Sequence, residues 1–197
     1  MSFSRRAALG ALLALTLAPA PGRALEPSEA EAFVRDVVDR MIEIVRTADA
    51  RNTRVDEVMA LIKETTAVEA IARFTMGATW RRMSESQREA FLDAFERYAA
   101  RVYVNRIGDY EGQTVEVTGA QDVGRKGILV QSVLQSPAAD DIALEWLVTD
   151  RNGPVQLVDL IAEGVSISIS QREEFGAMLE RRGGDVDRFI EDLETLG

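Results

Sequence analysis

The chain has 197 residues, with 23 Lys and Arg against 33 Asp and Glu and a formal charge of −10. It contains neither cysteine nor histidine, which excludes disulfides, thiolate nucleophiles, iron–sulfur and Cys/His zinc sites and every His-assisted triad. The acidic balance argues against nucleic acid as a partner, since backbone binding needs a basic footprint. An apolar share of 46% marks a globular chain, not a disordered acidic one.

Arg5 and Arg6 precede an uncharged apolar run, Ala7 to Ala20. Its 14 residues are too few to span a bilayer, which takes about 20. Gly22-Arg23-Ala24 follows as a small-x-small exit, so residues 1–24 read as a secretory signal with cleavage expected after Ala24. Ser4-Arg5-Arg6-Ala7-Ala8-Leu9 partly matches a twin-arginine motif, with Ala8 where an aromatic is usual; the twin-arginine and general export routes both stay open. Either places residues 25–197, a single domain, outside the cytoplasm. Loss of Arg5, Arg6 and Arg23 leaves 20 basic and 33 acidic side chains, a charge of −13 over 173 residues.

Ser28-Glu29-Ala30-Glu31 has capping-box form and opens a helix expected to run to Ala48, with Phe33, Val37, Met41, Ile44 and Val45 at helical spacing. Thr53 is placed to cap a second helix carrying Val55, Val58, Met59 and Ile62, and a third covers Val68 to Phe74. Ser84-Glu85-Ser86-Gln87, a second capping box, starts a long helix with Phe91, Phe95, Tyr98, Val102 and Ile107, stopped by Gly108. Beyond Gly112 the period falls to two. Thr114–Thr118, Gly127–Gln135, Ile142–Thr149 and Pro154–Ile161 read as strands, with turns at Asp122–Gly124 and Arg151-Asn152-Gly153. Val165 to Ser170 alternates like a last short strand; helical spacing then returns at Phe175, Met178 and Leu179 and, past Gly183-Gly184, at Val186, Phe189, Ile190 and Leu193. Helices, then strands, then helices predict an α+β fold: an antiparallel sheet of four to five strands packed on a set of helices.

Catalytic arrangements are scarce. Ser84, Ser132, Ser166, Ser168 and Ser170 have only Lys63 and Lys126 as conceivable activators. Asp140-Asp141, Glu173-Glu174 and Glu191-Asp192 are paired carboxylates of the kind a hydrolase would need facing each other in a cleft, but in an acidic chain such pairs usually form a solvated face. Asp109, Glu111, Asp140 and Asp141 lack the Asp-x-Asp-x-Asp-Gly spacing of a calcium loop. Large apolar side chains recur on both helices and strands. They either fill one core or leave an apolar cavity between sheet and helices, and spacing alone does not separate these.

Two segments resemble the MlaC-like, or toluene-tolerance, family of periplasmic phospholipid-binding proteins. One is Ala72-Arg73-Phe74-Thr75-Met76-Gly77-Ala78-Thr79-Trp80-Arg81 with the helix of Phe91 and Phe95; the other is Asp159-Leu160-Ile161-Ala162-Glu163-Gly164-Val165-Ser166-Ile167 with Arg172 and Phe175. Met76 stands where leucine is common in the family. The resemblance runs from about Glu29 to Leu196 and implies a periplasmic carrier, not an enzyme and with no cofactor. Its cargo would be a phospholipid held by the acyl chains in an apolar cavity. As partners it implies an outer-membrane lipoprotein complex and an inner-membrane ABC transporter, with the carrier monomeric and not inserted in the membrane. A branch of the family associated with hopanoids makes a triterpenoid cargo the alternative; a periplasmic adaptor or chaperone binding protein through its acidic helical surface is another.

If a lipid slot exists, the residues expected to line it are Phe95, Tyr98, Val102 and Tyr103 on the long helix and Val117, Val130, Leu144, Trp146 and Leu157 on the strands. Phe74, Met76, Trp80, Val165 and Ile167 join them from the two family segments. Alternation places Leu144 and Trp146 on one strand face. Phe74 and Trp80 equally suit packing of the third helix. Arg73 and Arg81 suit either a lipid phosphate or an ion pair with Glu163 or Asp159.

Overall fold

The computed structural model describes residues 25–48, 50–107, 111–137, 139–151 and 153–196. The expected export signal, the Gly108 stop, Asp109 and Asn152 lie outside them. Six α-helices and one five-stranded sheet form the fold: α1 (Pro27–Thr47), α2 (Arg51–Thr65), α3 (Val68–Met76), α4 (Glu85–Ile107), β1 (Thr114–Asp122), β2 (Ile128–Ser136), β3 (Ala139–Thr149), β4 (Gln156–Ala162), β5 (Val165–Ser166), α5 (Ile167–Arg181) and α6 (Val186–Thr195). The sheet is an antiparallel meander in chain order. This is the α+β arrangement expected from the grouping of elements.

Local chemistry sets the helix ends. α1 starts one residue earlier than Ser28, because Pro27 occupies the first helical position, where its missing N–H costs nothing. The Glu26 backbone N–H donates to Glu29 Oε2 at 3.1 Å, so the capping box is Glu26/Glu29 and not one based on Ser28. α2 likewise begins at Arg51, two residues before Thr53. At α4 the expected box forms: the Gln87 N–H donates to Ser84 Oγ and the Ser84 N–H to Gln87 Oε1, both at 3.1 Å.

The alternating Val165–Ser170 run is a strand for two residues only. Ser166 then accepts the Ile169 N–H at 3.2 Å as the N-cap of α5, so Ile167 to Ser170 form its first turn. Glu163 and Gly164, with φ of 50° and 75°, make the two-residue β4–β5 turn, a connection that needs positive φ at both positions.

Buried apolar residues fall into two separate clusters. The helical one centres on Phe91, Phe95, Phe175 and Phe189, whose rings pack 5.1–6.1 Å apart. The other joins Ala30, Val34 and Val38 of α1 to Val117, Ile128, Val130, Val148 and Leu157 of the sheet. A small domain usually has one contiguous core. Here α2 and α3 connect the layers at an edge: the Ala67 N–H donates to Leu157 O at 2.9 Å, and Thr66 bridges the same residue in parallel.

Candidate functional site

The space between the two cores is a cavity of about 640 Å³, inside the range of small-molecule sites. α4 supplies one wall through Phe95, Tyr98, Ala99, Val102 and Tyr103, an i, i+3, i+4, i+7, i+8 stripe. The inward face of the sheet supplies another through Val115, Leu134, Ile142, Leu144, Trp146 and Leu160. Val37, Met41, Ile42 and Val45 of α1 and Leu61 and Ile62 of α2 close it, with Ile167 at the start of α5. Leu134, Ile142, Leu144, Trp146, Val102 and Met41 are all half-buried. All six line the cavity; Met41 and Val102 also pack against the helical cluster and Trp146 against the sheet cluster. Exposed Arg106, Ala139 and Asp140 also line the cavity, so it opens to solvent there.

Polar groups on the walls are few. The Trp146 indole N–H donates to Ser132 Oγ at 2.8 Å, and Tyr98 Oη donates to Gln171 Oε1 at 3.2 Å. Asp159 is committed to the fold: it accepts the Ser166 hydroxyl at 2.5 Å and the Ser168 and Leu160 N–H groups at 3.1 and 3.0 Å, holding the N-terminus of α5. Burial pushes the Tyr98 and Tyr103 phenols above their ordinary values, so both stay neutral donors; the nearby Arg106 charge opposes that rise at each.

Of the fourteen residues expected at a slot, the structure brings eight to this cavity: Phe95, Tyr98, Val102, Tyr103, Leu144, Trp146, Leu157 and Ile167. Six lie elsewhere. Val117 and Val130 are on the inward sheet face, as partners of Ser132 and Trp146, but the N-terminal half of α1 covers them and makes that end solid core. Met76 is buried in the helical cluster, and Val165 is 56% exposed at the β4–β5 turn. Phe74 and Trp80 border a separate shallow depression with Arg73, Arg81 and Arg172. Sequence reasoning missed the α1 wall, although the Val37-Val38, Met41-Ile42 and Ile44-Val45 doublets already mark a face wider than one core stripe requires.

The depression explains the two family segments structurally. Arg172 lies over the Phe74 ring at 5.0 Å and donates to Phe74 O at 3.0 Å. Gly77 has φ +53°, and a Cβ there would sit 2.9 Å from Arg172 Nη2. The expected pairing of Arg73 or Arg81 with Glu163 or Asp159 does not form; Glu163 Oε1 accepts the Ala143 N–H at 2.6 Å instead.

Asp140 and Asp141 are adjacent on β3 and so point to opposite sheet faces. Asp192 is held below the usual carboxylate range by a two-pronged bond to Arg182, both contacts at 2.7 Å. Lys63 is paired with Glu96 at 2.6 Å. Among the described residues no group of three or more carboxylates gathers to hold a metal, and no helix is long and apolar enough to cross a membrane.

The MlaC protein family matches residues 35–195. The chain is also similar to a solved structure of a phospholipid-binding protein from Ralstonia solanacearum in complex with a phospholipid. The TM-score is 0.71 at 20% identity, covering 84% of this chain and 95% of that one.

Proposed function

The chain belongs to the MlaC family, and from that premise we propose that it is a periplasmic carrier that holds a glycerophospholipid by its acyl chains. One observation carries the reading: an open, mostly apolar cavity of about 640 Å³ separates two solid cores. A diacyl lipid with about 30 methylenes hides a gross ~24 kcal/mol of apolar surface at about 0.8 kcal/mol each. A bilayer offers the same shelter, so the carrier needs a dry slot and a polar mouth, and no nucleophile. The phospholipid seen with the Ralstonia protein supports the choice of cargo.

In this reading residues 1–24 direct export. The mature charge of −13 disfavours adhesion to anionic bilayers. The carrier then exchanges cargo with an inner-membrane ABC transporter and an outer-membrane lipoprotein complex, which maintains the lipid asymmetry of the outer membrane. The test is native mass spectrometry of freshly purified protein, followed by organic extraction. A bound mass matching a diacyl phospholipid and lost on extraction is expected. Protein that is empty however gently it is isolated contradicts the reading.

A further inference from the structure

Two walls of the cavity change character in the same direction. The α4 stripe runs from Phe95 through Val102 and Tyr103 to Arg106, a rise of about 17 Å at 1.5 Å per residue. On β3 the inward positions run from Trp146 through Leu144 and Ile142 to Asp140, about 20 Å at 3.4 Å per residue. Both walls begin apolar and end in a charge. Both charged ends are exposed, and they line this cavity with Gln113, Ser136 and Ala139. Arg106 lies in the last turn of α4, Gln113 precedes β1, Thr114 pairs with Gln135, and Ser136 pairs with Ala139 beside Asp140.

Neither the Arg106 guanidinium nor the Asp140 carboxylate makes a hydrogen bond or ion pair with any described residue, each other included. The Tyr103 hydroxyl, one helical turn below Arg106 on the same face, also has no hydrogen-bond partner among the described residues, in contrast to that of Tyr98. Uncommitted charges of opposite sign on one rim, with a phenol donor beneath the cation, suit a ligand that brings one charge of each sign.

We propose that this rim selects the head of a zwitterionic phosphodiester lipid: Arg106 and Tyr103 donate to the phosphate oxygens and Asp140 accepts from the head-group amine. The proposal rests on the reading of the cavity as an acyl-chain site. An anionic head without an amine leaves Asp140 beside a like charge. An uncharged head, as on diacylglycerol or a triterpenoid alcohol, leaves Arg106 without an anion. Arginine suits the phosphate because its planar fork donates two parallel bonds.

The test offers delipidated protein an equimolar mixture of three lipids with identical acyl chains, bearing a phosphoethanolamine, a phosphoglycerol or only a hydroxyl head. Bound lipid is read by mass spectrometry as ratios, which do not depend on how much protein is folded. The expected order is phosphoethanolamine, then phosphoglycerol, then diacylglycerol. Arg106→Gln is expected to cut the preference for phosphate-bearing lipid over diacylglycerol by about tenfold. Tyr103→Phe is expected to cut it less. Asp140→Asn is expected to erase the preference for phosphoethanolamine over phosphoglycerol while leaving both ahead of diacylglycerol. Indiscriminate uptake, a preference for phosphoglycerol, or ratios unmoved by the variants would overturn the rim proposal and leave the acyl-chain reading standing. No uptake of any of the three would overturn the acyl-chain reading itself.

Discussion

The indole N–H of Trp146 reaches diagonally across the β3–β2 pair to Ser132 Oγ at 2.8 Å. Ser132 is only 3% exposed, so this bond ties the largest side chain of the sheet wall to the neighbouring strand. Ser132→Ala strands the indole N–H in a half-buried position and is expected to cost about 1–2 kcal/mol in chemical denaturation. The same variant should blue-shift or broaden Trp146 fluorescence. Unchanged stability and emission would mean that the bond does not hold the wall.

Gly77 is the hinge on which the two family segments meet. Its φ of +53° with ψ of −124° is a conformation that side chains rarely adopt, and a Cβ would come within 2.9 Å of Arg172 Nη2. Gly77→Ala is expected to destabilise by about 1–3 kcal/mol. Thermal and denaturant unfolding would show it, and wild-type stability would contradict it.

Phe175 separates the stability of the helical core from the cavity. It is fully buried, touches the rings of Phe91, Phe95, Tyr98 and Phe189, and does not line the cavity. Phe175→Ala is expected to cost about 3–5 kcal/mol. Under conditions where the variant stays folded, its ratio of bound lipids in a mixture should match wild type. A changed ratio would mean that the two cores are not independent.

How much of this was legible in the chain can be followed residue by residue. Period-two alternation puts Leu144 and Trp146 on one strand face, and both line the cavity, because alternation is a local property of a strand. What alternation does not carry is which helix covers which end. Ala30 and Val34 seat α1 on Val117 and Val130 and fill that end, while Leu144 and Trp146 face the cavity. The Phe74–Trp80 segment was attributed to the slot because it marks the family. Its Gly77 and Phe74 instead dock Arg172, a partner 98 residues from Phe74 that no local pattern reveals, while Trp80 packs in the helical core with Arg88 over its ring. The Ser166 cap was hidden in the alternation of Val165 to Ser170, since serine suits both a strand's polar face and a helix N-cap.

Alkaline pH probes the cavity wall. Desolvation raises the phenol of Tyr98, with the Glu174 charge adding and the Gln171 bond and Arg106 opposing; desolvation likewise raises Tyr103, with Asp159 adding. A phenol whose folded pKa exceeds its unfolded value stabilises fully below the unfolded value and loses that contribution as pH rises through the folded one. Stability is therefore expected to be unaffected by these groups below the ordinary tyrosine range and to fall above it. Tyr98→Phe and Tyr103→Phe should each flatten the decline in denaturant midpoints measured across that range. An equally steep decline in the variants would place its cause elsewhere.

The most direct measurement fills and charges the wall between the two cores. Leu144→Trp combined with Trp146→Arg puts bulk and a cation on the inward face of β3, while the helical cluster around Phe91 and Phe175 is untouched. Native mass spectrometry of wild type and this variant, purified side by side and matched in helix content by circular dichroism, is expected to find lipid on the first and none on the second. Equal lipid on both, at equal helix content, would contradict the central claim that the space between sheet and helices holds the cargo.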